Sequence, residues 1–289
     1  MKDPARPSRR PHRAPYPDLR SERRGSPDVG DGHALDRFVE IGSLTKVVTG
    51  TALTRMAAAG VLELDDPVER WLPAAPGTGI TLRHLAQHTS GLPRLPPRVS
   101  RRDPYAEFDR PALHRLLHRL DAIATRPAGR QEEYSNLGYA VLGEALSAAA
   151  GTGYEELVTE YVLRPLDLAE VTAHPDPSRR LPAPGLFGWP RRPWTMHGAI
   201  LPAGGLWATP RAAADLVVRL LVERRLGEPA PTWQTAGPLR WHNGATRDAS
   251  VFAGALDDGR WVLIHRLNAA PDDTDRAGIE ALKRSRAAS

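Results

Sequence analysis

Residues 43–59 constrain the fold of this 289-residue chain more than any other feature. They form a predicted helix whose side chains are largely apolar, and Gly60 follows as a helix-ending residue. A helix that is apolar on every side is buried, so the other elements must pack around it. Near its start lies Lys46, and such dry surroundings favour the uncharged form of a lysine amine.

Lys46 lies three positions after Ser43 and is one of only three lysines among 39 basic residues. Residues three apart on a helix share a face, so the amine can reach the hydroxyl. An arginine keeps its proton near neutrality, whereas a desolvated lysine can act as a base. Ser43 is therefore a candidate nucleophile, although a Ser-x-x-Lys pair alone recurs by chance about once in a few hundred residues.

Charge and composition exclude several classes of protein. Residues 1–24 contain eight basic and three acidic residues, which accounts for the whole formal charge of +5. The remainder is neutral on balance, unlike a nucleic-acid-binding domain. Without cysteine there are neither disulfides nor thiolate metal sites. No apolar run is long enough to span a membrane, and the basic start lacks the apolar core of a signal peptide. This predicts a cytoplasmic protein, or an extracytoplasmic one if the true start lies upstream.

The organisation of the chain predicts an α+β fold. Residues 1–30 are rich in proline and charge and are expected to form a disordered tail, followed by one domain over 31–289. The part at about 61–225 is mostly helical, whereas the last sixty residues contain three short strands at 240–244, 249–256 and 260–267, the last two joined by a hairpin turn. We expect an antiparallel sheet near the end of the chain, after the mostly helical part. The individual helices are predicted at 81–88, 111–122, 136–150, 154–162, 210–224 and 275–286.

Two further motifs carry polar side chains at positions suited to a cleft. Tyr134-Ser135-Asn136 lies at a predicted junction between a loop and a helix. His242-Asn243-Gly244 lies on a predicted strand, where glycine allows another backbone or a substrate to approach closely. Taken singly, these residues are explained as well by an interfacial tyrosine, a helix cap and an ordinary strand histidine.

The Ser-x-x-Lys, Tyr-Ser-Asn and His-Asn-Gly motifs, in this order, resemble those of a known family. The resemblance also includes three further segments: Leu64-Asp65-Asp66-Pro67-Val68, His88-Thr89-Ser90-Gly91-Leu92 and Ala203-Gly204-Gly205-Leu206-Trp207. The family is that of the penicillin-recognising serine hydrolases, in the branch of class C β-lactamases, D-alanyl-D-alanine carboxypeptidases and related esterases. The resemblance covers roughly residues 38–268. It implies an antiparallel sheet flanked by helices, with an inserted, mostly helical subdomain. It also implies a covalent acyl-enzyme formed on an ester or amide.

The resemblance also implies roles for individual residues. Ser43 attacks the substrate, Lys46 and Tyr134 move protons, and Asn136 holds the acyl side of the substrate. The N–H groups of Ser43 and of Ala245, just after Gly244, form the oxyanion hole. Whether Lys46 or Tyr134 is the general base stays open. No cofactor is implied.

The predicted substrate is a small ester, amide or peptide, and the oligomeric state is left open. β-Lactamases of this fold have a lysine where His242 stands, and a mostly neutral histidine is a weaker partner for a substrate carboxylate. This favours an esterase or D-amino-acid peptidase over a β-lactamase. His84 and His88 have the spacing of a zinc pair, but Leu85 occupies the position of the required glutamate, so no metal site is expected.

Only 42 residues precede Ser43, whereas family members carry a helix and two strands ahead of their nucleophile. The chain therefore looks N-terminally shortened, and its sheet is expected to have three strands rather than five. An incomplete sheet leads to the competing hypothesis of an inactive relic or a binding module that keeps the motifs without turnover.

Overall fold

The structure is a computed structural model that describes residues 18–20, 33–97, 100, 102–185 and 189–284. The strands are β1 (Asp18–Arg20), β2 (Val39–Glu40), β3 (Val171–Thr172), β4 (Trp207–Ala208), β5 (Gln234–Ala236), β6 (Leu239–Ala245), β7 (Ala249–Leu256) and β8 (Trp261–Leu267). The α-helices are α1 (Thr45–Ala58), α2 (Leu82–Ala86), α3 (Arg110–Leu117), α4 (Leu120–Ile123), α5 (Asn136–Ala150), α6 (Tyr154–Val158), α7 (Leu201–Gly204), α8 (Pro210–Val217) and α9 (Pro271–Arg284).

The main sheet is antiparallel, with strand order β1-β8-β7-β6-β5. Strands β6, β7 and β8 correspond to the three short runs predicted as strands near the end of the chain. The expectation of only three strands is wrong, because β5 adds one strand beside β6 and β1 adds another beside β8. The sheet thus has five strands, with helix α9 packed on one face.

Strand β1 lies within the stretch predicted as a disordered tail. Its residues pair with β8 from Asp18 opposite Ile264 to Arg20 opposite Val262. Such a ladder is formed by main-chain groups, so a sequence rich in proline and charge can still contribute three residues to it. The rest of the predicted tail, residues 1–17 and 21–30, lies outside the described residues.

Helix α1 is the buried centre of the molecule, as the apolar run predicts. It packs against α5 and α7, and side chains along it such as Val47, Val48 and Leu53 are fully buried. A glycine at position 50 permits a close crossing, because a Cβ there would lie 1.7 Å from Oγ1 of Thr232. The hydroxyl of Thr232 in turn accepts a hydrogen bond from Tyr139 on α5.

A second, three-stranded sheet, in the order β2-β4-β3, leads the chain to the start of α1. Val39 pairs with Ala208 of β4, and a 3-10 turn at Gly42–Leu44 then connects β2 to α1. Gly42 has a φ of 49°, a conformation that glycine adopts without strain. This turn places Ser43 at the N-terminal end of the buried helix.

Capping residues determine where several of the helices begin and end. The predicted helix 136–150 has the observed bounds, because Ser135 Oγ accepts the N–H of Gly138 and Gly151 closes the helix at a φ of 68°. The predicted helix 81–88 begins after Thr81 as expected but ends at Ala86. Helices α6 and α8 continue as π-helical turns at Thr159–Leu163 and Val218–Val222. Across the described ranges, no helix combines the length and apolarity that crossing a membrane requires.

Candidate active site

Ser43 lies in the wall of an open cleft of about 700 Å³ between the main sheet and the helices. The helical side of the cleft includes Tyr134 and Asn136, which come from the start of α5 and the residues before it. The sheet side includes Gly244 and Ala245 at the end of β6. The cleft therefore brings together three segments that are about 90 to 110 positions apart in the sequence.

Lys46 lies directly behind Ser43 and is completely buried. Its Nζ is 2.8 Å from Oδ1 of Asn136, 2.5 Å from the carbonyl oxygen of Ala203 and 3.2 Å from Oγ of Ser43. Burial holds the pKa of Lys46 well below its ordinary value, and the positive charge of Arg94 lowers it further. A neutral amine has two N–H groups and one lone pair. When Asn136 and Ala203 accept the two N–H groups, the lone pair is left for the hydroxyl of Ser43.

Tyr134 contacts the other side of the same hydroxyl. Its phenol donates a hydrogen bond to Ser43 Oγ at 2.6 Å. Burial raises the pKa of Tyr134 to about 12, and the bond to Ser43 and the charge of Arg94 only partly offset that effect. At neutral pH the phenol is therefore protonated and acts as a donor, which leaves the serine proton directed toward Lys46.

Asn136 connects Lys46 to a residue that sequence reasoning missed. Its side-chain nitrogen donates to the hydroxyl of Tyr105 at 2.7 Å. Tyr105 lines the cleft and is only 4% exposed, although it lies in a segment rich in proline and charge that looks like a surface excursion. The available signal was the pair of aromatic residues Tyr105 and Phe108, both buried, within that polar stretch.

Strand β6 passes very close to the turn that carries Ser43. A Cβ on Gly244 would lie 2.6 Å from the carbonyl oxygen of Ile41 and 2.9 Å from the amide nitrogen of Ser43. The neighbouring ladder bond runs from the N–H of Thr246 to the carbonyl of Ala249 at 2.8 Å. Hydrogen-bonded and non-bonded pairs alternate in an antiparallel ladder, so the N–H of Ala245 points away from β7 and toward the cleft.

The structure does not place the side chain of His242 in the cleft, contrary to the prediction of a substrate contact. His242 is 1% exposed, and its Nδ1 lies 2.6 Å from the carbonyl oxygen of Asn243. It shares the buried face of β6 with Gly244, so its side chain points away from solvent. Burial lowers the pKa of His242 to about 4, which makes it neutral at pH 7.

His84 and His88 each accept a main-chain hydrogen bond at the N-terminal end of a helix. Nδ1 of His84 accepts the N–H of Thr81 and completes a capping box at the start of α2. Nδ1 of His88 accepts the N–H of Ser135, the residue that caps α5. The part of the chain that the structure describes has no group of three or more histidine, aspartate or glutamate side chains arranged to hold a metal ion.

Comparison with known proteins identifies the family of the chain. A family model described as Beta-lactamase matches residues 24–262, which is most of the chain. The chain belongs to the β-lactamase family. The resemblance to penicillin-recognising serine hydrolases is therefore confirmed, and the family to which the chain belongs is one of hydrolases.

This β-lactamase family member has curated relatives that it matches over part of their own length. The chain is 34% identical over 185 residues to the D-alanyl-D-alanine-carboxypeptidase/endopeptidase AmpH of Escherichia coli strain K12, a match that covers 61% of this chain and 47% of AmpH. The chain spans less than half the length of the first curated relatives that it matches.

Solved structures share the fold at low identity. The class C β-lactamase of Rhodobacter sphaeroides superposes with a TM-score of 0.74 at 17% identity, over 95% of each chain. The β-lactamase/D-alanine carboxypeptidase of Yersinia pestis, in complex with citrate, gives a TM-score of 0.73 at 20% identity, over 87% of this chain and 85% of that one. The predicted α+β fold class is confirmed by these likenesses and by the observed sheets and helices.

Proposed function

We propose that this chain is a serine acyl hydrolase that acts through a covalent acyl-enzyme on a small ester or amide. One observation carries the proposal. Oγ of Ser43 lies within hydrogen-bond distance of both Nζ of Lys46 and the hydroxyl of Tyr134, at 3.2 and 2.6 Å, in the wall of an open cleft. Membership in a family of serine hydrolases supports the same chemistry.

Acylation begins with proton transfer from Ser43 to Lys46. The lowered pKa of Lys46 supplies a lone pair at neutral pH, whereas the raised pKa of Tyr134 keeps the phenol protonated, so we assign the base to the lysine. The serine oxygen bonds to the substrate carbonyl carbon. The resulting oxyanion accepts hydrogen bonds from the N–H groups of Ser43 and Ala245.

Collapse of the tetrahedral intermediate breaks the bond to the leaving group. Tyr134 donates its phenolic proton to the departing oxygen or nitrogen, and the ammonium of Lys46 resupplies the phenolate. Asn136 positions the acyl part of the substrate from the other wall of the cleft. In the second half-reaction a water molecule replaces the leaving group, gives a proton to the same pair of side chains and releases the acid.

The charge distribution favours an esterase or D-amino-acid peptidase over a β-lactamase. Position 242 carries a buried neutral histidine, so it supplies no positive charge for a substrate carboxylate. We expect turnover of short-chain esters first and weak turnover of β-lactams or none. The AmpH relative is named as a peptidase, which makes D-alanyl-D-alanine peptides the second substrate class to assay.

Covalent labelling tests the proposal. The wild-type chain should react with a fluorescent fluorophosphonate, and peptide mass spectrometry should locate the adduct on Ser43. Labelling should disappear in Ser43→Ala and persist in Ser100→Ala, which removes another cleft serine as a matched control. A folded wild-type chain that takes neither fluorophosphonate nor penicillin would instead support an inactive relic or binding module.

A further inference from the structure

Arg94 lines the cleft but takes no direct part in the proton transfers described above. Its main chain is fixed at the start of α5, because its carbonyl oxygen accepts the N–H of Asn136 at 2.9 Å. Its guanidinium lies over the ring of Tyr134, 5.2 Å from the centroid. One aromatic ring therefore separates this cation from the hydroxyl that contacts Ser43.

Arg94 is the only positively charged side chain among the described residues that line the cleft. Its guanidinium forms no ion pair or hydrogen bond within the described part of the chain, whereas arginines such as Arg83 and Arg110 pair with carboxylates. A guanidinium presents a planar set of donors that matches a carboxylate, so Arg94 is available to bind one from a ligand.

The two ends of the cleft differ in charge. Arg94 is hydrogen-bonded through its main chain to Asn136, which contacts Tyr105, whereas Asp272 lies in the first turn of α9, the helix whose Asp275 accepts a hydrogen bond from Asn243. Asn136 marks the end that receives the acyl part of the substrate in the proposed reaction. The positive charge is therefore on the acyl side, and the side toward Asp272 disfavours a second anion.

We propose that Arg94 selects substrates whose acyl part ends in a carboxylate, such as monoesters of short dicarboxylic acids; this inference rests on the proposed function. Tyr105 and Trp194, whose rings meet edge to face at a centroid distance of 6.4 Å, line the same cleft and supply apolar surface for the methylene chain. The ester carbonyl would lie at Ser43 and the carboxylate at Arg94, on either side of the Tyr134 ring.

Two esters that share the same leaving group isolate the effect of a carboxylate on the acyl part. p-Nitrophenyl hexanoate and mono-p-nitrophenyl adipate have acyl chains of equal length, and only the adipate ends in a carboxylate. We expect wild-type kcat/KM, after subtraction of the enzyme-free rate, to favour the adipate by roughly tenfold, a preference that should shrink as salt is added. Arg94→Gln should lower the adipate-to-hexanoate ratio by about the same factor, and Arg94→Lys should retain part of it. Using the ratio cancels any general effect of Arg94 on Lys46 or Tyr134.

Controls separate this inference from the proposed function. Arg130→Gln removes an exposed arginine that is not among the cleft-lining residues and should leave the ratio unchanged. Free adipate should inhibit hexanoate hydrolysis competitively in the wild type and much less in Arg94→Gln. Hydrolysis of both esters at similar rates, or an unchanged ratio in Arg94→Gln, overturns the role of Arg94 alone. Failure to hydrolyse either ester, with no fluorophosphonate labelling, overturns the hydrolase as well.

Discussion

Gly244 lies so close to Ser43 that a Cβ on residue 244 would be 2.9 Å from the amide nitrogen of the serine. The same atom would be 2.6 Å from the carbonyl oxygen of Ile41, which is main chain and cannot rotate away. The absence of a side chain at residue 244 therefore keeps strand β6 and the nucleophile turn in contact, with the amides of Ser43 and Ala245 on either side of the contact.

Gly244→Ala should move β6 away from the turn and enlarge the gap between the two oxyanion donors. Losing one such donor typically lowers kcat by about 10² to 10³-fold, so we expect a loss of that order with a smaller change in KM. Steady-state kinetics on a p-nitrophenyl ester measures both constants. Gly153→Ala is the matched control, because a Cβ at Gly153 meets no atom within 4 Å and its φ is −69°. Equal activity of the two variants would contradict the proposed oxyanion hole.

Lys46→Arg tests the lysine as a base. The substitution replaces a group that can lose its proton near neutrality by a permanently charged one, so acylation should fall by at least about 10²-fold. The rate of fluorophosphonate labelling reports acylation directly, and circular dichroism checks that the larger side chain leaves the fold intact. A folded Lys46→Arg variant that keeps most of its labelling rate would show that another group removes the serine proton.

Tyr134→Phe removes the phenol and keeps the ring. p-Nitrophenolate departs without a proton, whereas an alkoxide requires one. The variant should therefore lose much more activity toward an ethyl ester than toward the p-nitrophenyl ester of the same acid, with a difference of about tenfold or more. The ratio of the two kcat/KM values is the measurement. Equal losses on both esters would assign Tyr134 to positioning of Ser43 instead of proton donation.

Glu40 should give the chain an unusual dependence of stability on pH. Its carboxyl accepts a hydrogen bond from Thr246 at 3.1 Å, and burial raises its pKa from 4.5 to about 7, an effect that the nearby charge of Asp248 increases. Between pH 4.5 and 7 the folded state holds a proton that the unfolded state has lost, so the contribution of Glu40 to stability falls as pH rises through this window.

Glu40→Gln removes this titration. The unfolding free energy of the variant minus that of wild type should increase by about 2 to 3 kcal/mol from pH 4.5 to pH 8. Urea unfolding at both pH values measures the difference, and the other titrating groups cancel in the comparison. Glu107→Gln, at an exposed carboxyl, is the control. A pH dependence that Glu40→Gln leaves unaltered would place the carboxylate of Glu40 in contact with water.

The parts of the site that the sequence predicted correctly are those fixed by local rules. Ser43 and Lys46 meet because residues three apart on a helix share a face. Helix α5 matched its predicted bounds because a serine cap and a glycine with positive φ mark its ends. The hairpin between β7 and β8 matched because its turn residues and flanking apolar runs are adjacent in the chain.

The parts that were missed depend on contacts between distant segments. Strand β1 is held by main-chain pairing with β8, which leaves no requirement on the composition of residues 18–20. Tyr105 is buried by contacts with distant segments, among them the hydrogen bond from Asn136 on α5 and the ring of Trp194. The burial of His242 depends on which face of β6 meets the nucleophile turn, and strand alternation alone does not reveal which face that is.

The close approach of Thr232 to Gly50 holds helix α1 tightly against its neighbours at that crossing. With the threonine hydroxyl occupying the space that a side chain at position 50 would need, α1 can neither rotate nor slide by a fraction of a turn without a collision. The main chain at Lys46 is thereby held by core contacts that lie outside the loops around the cleft. Loop lengths and substrate preferences can diverge in this architecture while the catalytic geometry behind the serine stays the same.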